Sequence, residues 1–221
     1  MPVDFVASGA LTSLSAERFA RYQGATSTDV AASALYEWNS KVSADYLELL
    51  SWVEVALRNA THNSLMALAQ GLGESRWDQT NTSWFSPWFQ PESVRQIRKA
   101  RSRANSGPVM NPPIGKVVAE LTFGFWVRMY SRHYEASLWT PALRHGFPAG
   151  LSRGRVHNEL VALNKLRNRV AHHEAIFDGD HQRWLASISQ ALTWLSPSLN
   201  ATVLPRSRIH TSLIAMRAAR V

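Results

Sequence analysis

Val42-Ser43-Ala44-Asp45-Tyr46-Leu47-Glu48-Leu49-Leu50-Ser51-Trp52-Val53-Glu54-Val55-Ala56-Leu57-Arg58-Asn59-Ala60-Thr61-His62-Asn63-Ser64-Leu65-Met66-Ala67-Leu68 is the stretch that sets the fold class. Leu47, Leu50, Val53, Leu57, Thr61, Leu65 and Leu68 recur at three- and four-residue steps. That period puts them on one side of an α-helix, which must then bury its stripe against other elements. Gly71 and Gly73 end the helix, because glycine takes the left-handed conformation that closes a helix C-terminus.

Working outward toward the N-terminus, Ser15 to Tyr22 reads as a short helix and Gly24 to Ser27 as a loop. Ser27 or Thr28 is placed to cap a helix running through Leu35 and Trp38. In the other direction, Trp77, Trp84, Phe85, Trp88 and Phe89 lie in an aromatic loop without helical or strand period. Such residues pin a loop to the core, although exposed ones would stack on bases. Glu92 to Arg103 reads as a strongly basic helix. Arg95, Arg98, Lys99 and Arg103 fall along one side of it, either as a phosphate-contacting stripe or as a solvated face. Asn105 to Gly115, with Pro108, Pro112 and Pro113, is a loop. A second amphipathic pattern, Val118, Leu121, Phe125 and Met129, predicts one helix from Lys116 to Tyr134. A turn-rich connection, Pro141 to Gly150, follows. Ser152 then caps a helix whose buried side is Leu160, Leu163, Leu166 and Val170. Asp178-Gly179 is a turn and Asp180 an N-cap. Trp184, Leu185, Ile188, Leu192 and Leu195 form the last strong helix, stopped by Pro197. The residues after Pro205 carry Arg206, Arg208, Arg217 and Arg220, as a short basic helix or a tail. No stretch alternates with the period of a strand. The expected fold is all-α, a single-domain bundle of about five to seven helices. Its expected parts are an N-terminal extension over 1–28, the helical domain over 29–196 and a basic segment over 197–221.

Composition narrows the function. Hydrophobic residues at 45% and charged residues at 18% of 221 describe an ordinary globular chain. No apolar run is long enough to span a bilayer, and the N-terminal segment, with Asp4 and no basic leader, does not read as a secretory signal. Cysteine is absent, which excludes disulfides and thiol chemistry and suits a reducing cytoplasm. A net charge of +8 favours a polyanionic partner, with nucleic acid the commonest. His-Glu-x-x-His, Gly-x-Ser-x-Gly and the phosphate-cradling glycine loop are all missing, so no metal ligand set and no cofactor is expected.

Reactive groups concentrate in Leu166-Arg167-Asn168-Arg169-Val170-Ala171-His172-His173-Glu174, late in its helix. Asn168 and His172 stand at i and i+4 and share a face, and so do Arg169 and His173. Arg167 is offset from His172 by roughly 140° of helical turn, but its long stem can swing the guanidinium around. An arginine fork holds phosphoryl oxygens without losing its charge, and an imidazole exchanges protons near neutral pH. The cluster therefore reads as a phosphate-handling site. Such a set suffices for RNA cleavage without a metal: the 2′-hydroxyl gives up a proton as it attacks phosphorus, and the leaving 5′-oxygen gains one. A single histidine cannot be both base and acid in one step. Either His173 helps, or a second copy of the motif comes from another subunit. Adjacent helical histidines diverge by about 100°, which favours His172 as the acid/base and His173 as a supporting or structural residue.

Arg167-Asn168-x-x-x-His172 resembles the Arg-x4-His signature of HEPN domains, in the form found in Abi-like (abortive-infection) bacterial proteins. Leu35-Tyr36-x-Trp38-Asn39, Glu54-Val55-Ala56-Leu57-Arg58-Asn59 and Leu121-Thr122-Phe123-Gly124-Phe125-Trp126 follow the order of blocks in that family. The resemblance spans roughly Val30 to Leu195 and is poor from Gly71 to Gly115. It implies a metal-independent endoribonuclease acting in toxin or phage-defence roles, with Arg167, Asn168 and His172 catalytic and Arg169 adding to the nucleic-acid surface. It also implies a homodimer in which two motifs meet, and an RNA or protein antitoxin as a further partner. Glu54 precedes Arg58 at i, i+4, the favourable order for a surface ion pair, with His62 solvated beyond them. The resemblance casts Glu54 or Arg58 instead as groups that orient Arg167 and His172. Two readings of other classes share these residues. One is a non-catalytic RNA-binding module, and the other is a helical protein held inactive by a partner, as in HEPN modules accompanied by nucleotidyltransferases.

Overall fold

Between Trp38 and Val42 the chain runs Asn39-Ser40-Lys41, with neither glycine nor proline to interrupt a helix. The two predicted N-terminal helical stretches accordingly merge. In the computed structural model, which describes residues 4–79, 88–105, 107 and 111–219, they form one helix of 43 residues, α2 (Asp29–Gly71). Thr28 caps it, its hydroxyl accepting from the Ala31 N–H at 3.1 Å. At the other end Gly73, with φ of +81°, sends its N–H to Gln70 O while Glu74 N–H reaches back to Ala69 O. These paired bonds are a Schellman closure, with glycine at the left-handed position.

The remaining helices are α1 (Ala16–Gln23), α3 (Pro91–Ala104), α4 (Ile114–Ala119), α5 (Phe123–Arg128), α6 (Arg153–Ala171), α7 (His181–Leu195), α8 (Pro197–Val203) and α9 (Ile209–Ala219). The protein is all-α, and the described residues contain no strand. Ser15, Ser152 and Asp180 cap α1, α6 and α7 through their side-chain oxygens. The predicted helix from Lys116 to Tyr134 is divided instead into α4, α5 and a 3-10 turn, Arg132–Tyr134. The physical reason is Thr122: in extended conformation it starts a new helix, its hydroxyl accepting from Phe125 N–H. The basic segment after Pro205 continues as α9. Among the described residues no helix is long and apolar enough to cross a membrane. Trp84, Phe85, Pro108 and Arg220 lie outside the described residues.

The chain forms two compact helical units. The first comprises Met1–Ser51, Lys165–Ala186 and Ala201–Val221. Its core includes Leu35, Val42, Leu49 and Leu50 of α2. One aromatic cluster joins Phe5, Phe19, Tyr22, Tyr36 and Phe177. A second joins Trp38, Tyr46, His181 and Trp184, and the Tyr46 hydroxyl pairs with His181 Nδ1 at 3.0 Å. α9 is tied to α2 by Ser212, whose hydroxyl donates to the buried Asp45 carboxylate at 2.5 Å, and by the Trp38 indole N–H, which donates to Ser212 O.

The second unit comprises Trp52–Asn164 and Ser187–Asn200. Val53, Leu57, Thr61 and Leu65 of α2 are fully buried in it, as the sequence period requires. Trp77 and Phe89 are buried too, so the described part of the aromatic loop is pinned to the core. Trp77 also donates its indole N–H to His62 Nδ1 at 2.9 Å, so His62 is a half-buried acceptor rather than a solvated side chain. Asp78, with no exposed side-chain surface, receives Arg76 at 2.7 Å and Arg101 at 2.6 Å. The second of these bonds fastens α3 to the segment that follows α2.

Candidate functional site

The motif lies wholly in the first unit, at the C-terminal end of α6. Leu166 and Val170 are buried and fix the rotation of the helix, which leaves Arg167 and Arg169 half-buried and Asn168 exposed. His172 is the residue at which the helix closes. Its N–H still bonds Asn168 O at 2.9 Å, so the two exposed side chains share one side as the spacing predicted.

The chain then departs from the prediction. α6 ends at Ala171, and His173 is left-handed, with φ of +54°. His173 N–H bonds Val170 O and Glu174 N–H bonds Arg169 O, the same Schellman closure that Gly73 makes for α2. Arg169 and His173 therefore do not pair as i and i+4 on a helix. The divergence expected of two helical histidines does not apply either, since only His172 continues the helical hydrogen bonding.

Two residues hold this turn. Asn39 of α2, itself buried, accepts from Ile176 N–H at 2.7 Å and donates to Glu174 O at 3.2 Å. Arg169 donates to Ala175 O at 2.7 Å, lies 3.6 Å from the Glu174 carboxylate, and stacks 5.6 Å over the Trp184 ring. Trp184 in turn rests on Gly179, where an added Cβ would stand 2.0 Å from the indole. Arg169, predicted to contact nucleic acid, thus has its bonds and ring contact inside the fold. The closing N–H groups of His173 and Glu174 cover the Val170 and Arg169 carbonyls, whose partial negative charge would oppose a phosphate at this helix end.

Beside the turn is a pocket of about 250 Å³ lined by Arg18, Tyr22, Tyr36, Asn39, Ser40, Ser43 and His173. Burial chiefly, and Tyr36 next, hold the Tyr22 phenol up at about 12, so it remains protonated near neutral pH. Sequence reading singled out neither Ser43 nor Ser40. A signal for them existed: Tyr36, Asn39, Ser40 and Ser43 recur at three- and four-residue steps, a polar stripe beside an apolar one on the same helix.

The other predicted site residues belong to the second unit. Glu54 and Arg58 are half-buried on α2, and Arg58 Nε is buried without a hydrogen-bond acceptor among the described residues. Arg95, Arg98, Lys99 and Arg103 are all exposed on α3, because Ser93, Ile97, Ala100 and Ala104 form its buried side. Arg95 pairs with Glu92, and Arg103 pairs with Glu120 at 2.8 Å, so part of that charge is compensated locally. Among the described residues no group of three or more His, Asp or Glu side chains is arranged to hold a metal ion.

Comparison with curated proteins and with solved structures gives no match. The model of one family, described as Abi-like protein, matches residues 10–178, which take in α1, α2 and the whole motif of α6. The chain belongs to the Abi-like protein family.

Proposed function

We propose that this protein is a metal-independent endoribonuclease of the HEPN type, acting in the cytoplasm as an abortive-infection, phage-defence effector. Family membership supports the defence role. One observation supports the chemistry: Asn168 and His172, beside Arg167 in sequence, stand exposed together at a helix end where the Asn168, Arg169 and Val170 carbonyls are already hydrogen-bonded.

In the proposed reaction the 2′-hydroxyl of RNA loses its proton and attacks the adjacent phosphorus, closing a 2′,3′-cyclic phosphate. The bond to the 5′-oxygen breaks, and that oxygen takes up a proton. His172 carries one of these transfers, Arg167 holds the phosphoryl oxygens, and Asn168 orients phosphate or imidazole. The second transfer calls for another imidazole. A second copy of the chain, related by a two-fold axis, supplies it in the same role.

The test is incubation of the purified protein with end-labelled RNA in EDTA, beside Arg167→Ala and His172→Ala. Wild type is expected to cut and His172→Ala to lose at least about 10²-fold in rate, the usual worth of a general acid or base. A 2′-deoxy substitution at the scissile nucleotide is expected to block cutting there. Cutting that survives in His172→Ala would falsify the assignment. Tight, salt-sensitive binding with no product would instead favour a non-catalytic RNA-binding module.

A further inference from the structure

The pocket beside His173 has the donors of an anion site. Arg18, His173, Ser40, Ser43 and two tyrosines line it, and no carboxylate does. Asn39 contributes wall rather than donors, since both ends of its amide are bonded to the turn. The second, independent sign is Ser43. It is 3% exposed, yet its hydroxyl has no hydrogen-bond partner among the described residues. A serine within a helix ordinarily bonds the carbonyl four residues back, and a buried hydroxyl left unbonded is costly. Ser43 therefore carries an unused donor within the wall of the pocket. At about 250 Å³ the space falls below the roughly 300–1,000 Å³ of sites that enclose a whole small molecule. It suits one group of a longer ligand that continues outside.

We infer that this pocket seats a backbone phosphate of the RNA strand next to the one attacked at His172, with Ser43, Ser40, Arg18 and His173 holding its anionic oxygens. The inference rests on the nuclease reading. It also accounts for an imidazole at position 173, where the backbone conformation favours glycine: His173 is the ligand that points the turn's chemistry into the pocket. His173 is then a substrate-positioning residue and needs no part in proton transfer.

The full-length protein should be titrated with inorganic phosphate, and separately with an all-2′-deoxy oligonucleotide that cannot be cut. Binding is read from the ring resonances of His172 and His173. Both probes are expected to shift His173. Ser43→Ala and Arg18→Ala should each weaken phosphate binding about tenfold, the worth of a hydrogen bond to a charged group. Ser43→Ala should keep or raise its thermal midpoint, because the hydroxyl has no partner to lose and its burial is costly. Unchanged phosphate affinity in Ser43→Ala, or a loss of stability marking the hydroxyl as structural, overturns the proposal. Phosphate binding without oligonucleotide binding overturns the assignment to an RNA strand. Cutting by His172→Ala would sink the nuclease reading while leaving the Ser43 result standing, so the two failures are distinguishable.

Discussion

At position 173 an L-residue holds φ of +54°, where the matching position at the end of α2 carries Gly73. A left-handed conformation costs an L-residue about 1–2 kcal/mol, somewhat less for histidine than for bulkier types. His173→Gly is therefore expected to raise unfolding stability by about 0.5–1 kcal/mol net of glycine's greater freedom when unfolded, seen as a higher urea midpoint. Stability gained while phosphate binding falls is the behaviour of a strained functional residue. Asn39 works in the opposite sense. Replacing it with Ala leaves the buried Ile176 N–H without its acceptor, a loss of about 1–3 kcal/mol. The turn after α6 would loosen with it, and amide exchange at Glu174 and Ile176 should quicken.

Among the elements, α3 is held by its buried side and by Asp78, which has Arg76 and Arg101 on one carboxylate. Removing one member of a buried ion pair costs about 3–5 kcal/mol, so Asp78→Ala should lower the denaturation midpoint far more than the exposed Arg98→Ala. Nearby, His62 is held below the usual histidine value, by burial chiefly, with Asp78 opposing. The folded state then binds fewer protons than the unfolded one. The contribution is present in full above the unfolded value of 6.5 and declines as pH falls below it. Urea midpoints at about pH 8 and about pH 5.5 should differ, and less so in His62→Asn, whose amide oxygen still accepts from Trp77. Elements with strong period or clear caps, α6, α7 and the part of α2 from Val42 to Leu68, were legible in the sequence, whereas the unbroken run of α2 from Asp29 was not. The region from Lys116 to Tyr134 was not, because apolar spacing continues straight through Thr122 and only the local hydroxyl bond to Phe125 N–H reveals the break.

For the molecule as a whole, the charge of +8 means that the proposed binding to RNA should depend on ionic strength. Each cation that ceases to neutralise a phosphate should flatten the plot of log affinity against log salt by about 0.7 for a single strand. Arg98→Ala with Lys99→Ala tests whether α3 takes part, and an unchanged slope would mark that helix as merely solvated. The all-α class followed from periodicity, and the family from four short blocks in order. The motif's position late in its helix was legible as well. What spacing could not show was that α6 closes between the two histidines, since a left-handed turn at a non-glycine residue leaves no periodic trace. Ser43 stayed hidden for a related reason: whether a serine hydroxyl is satisfied depends on neighbours far along the chain. The handedness at 173 also means that a mirror-image amino acid would fit the backbone better than the natural one. A semisynthetic protein carrying D-alanine there would have an intact, stiffened turn with an empty place where the imidazole stood, separating what the ring does from what the chain does.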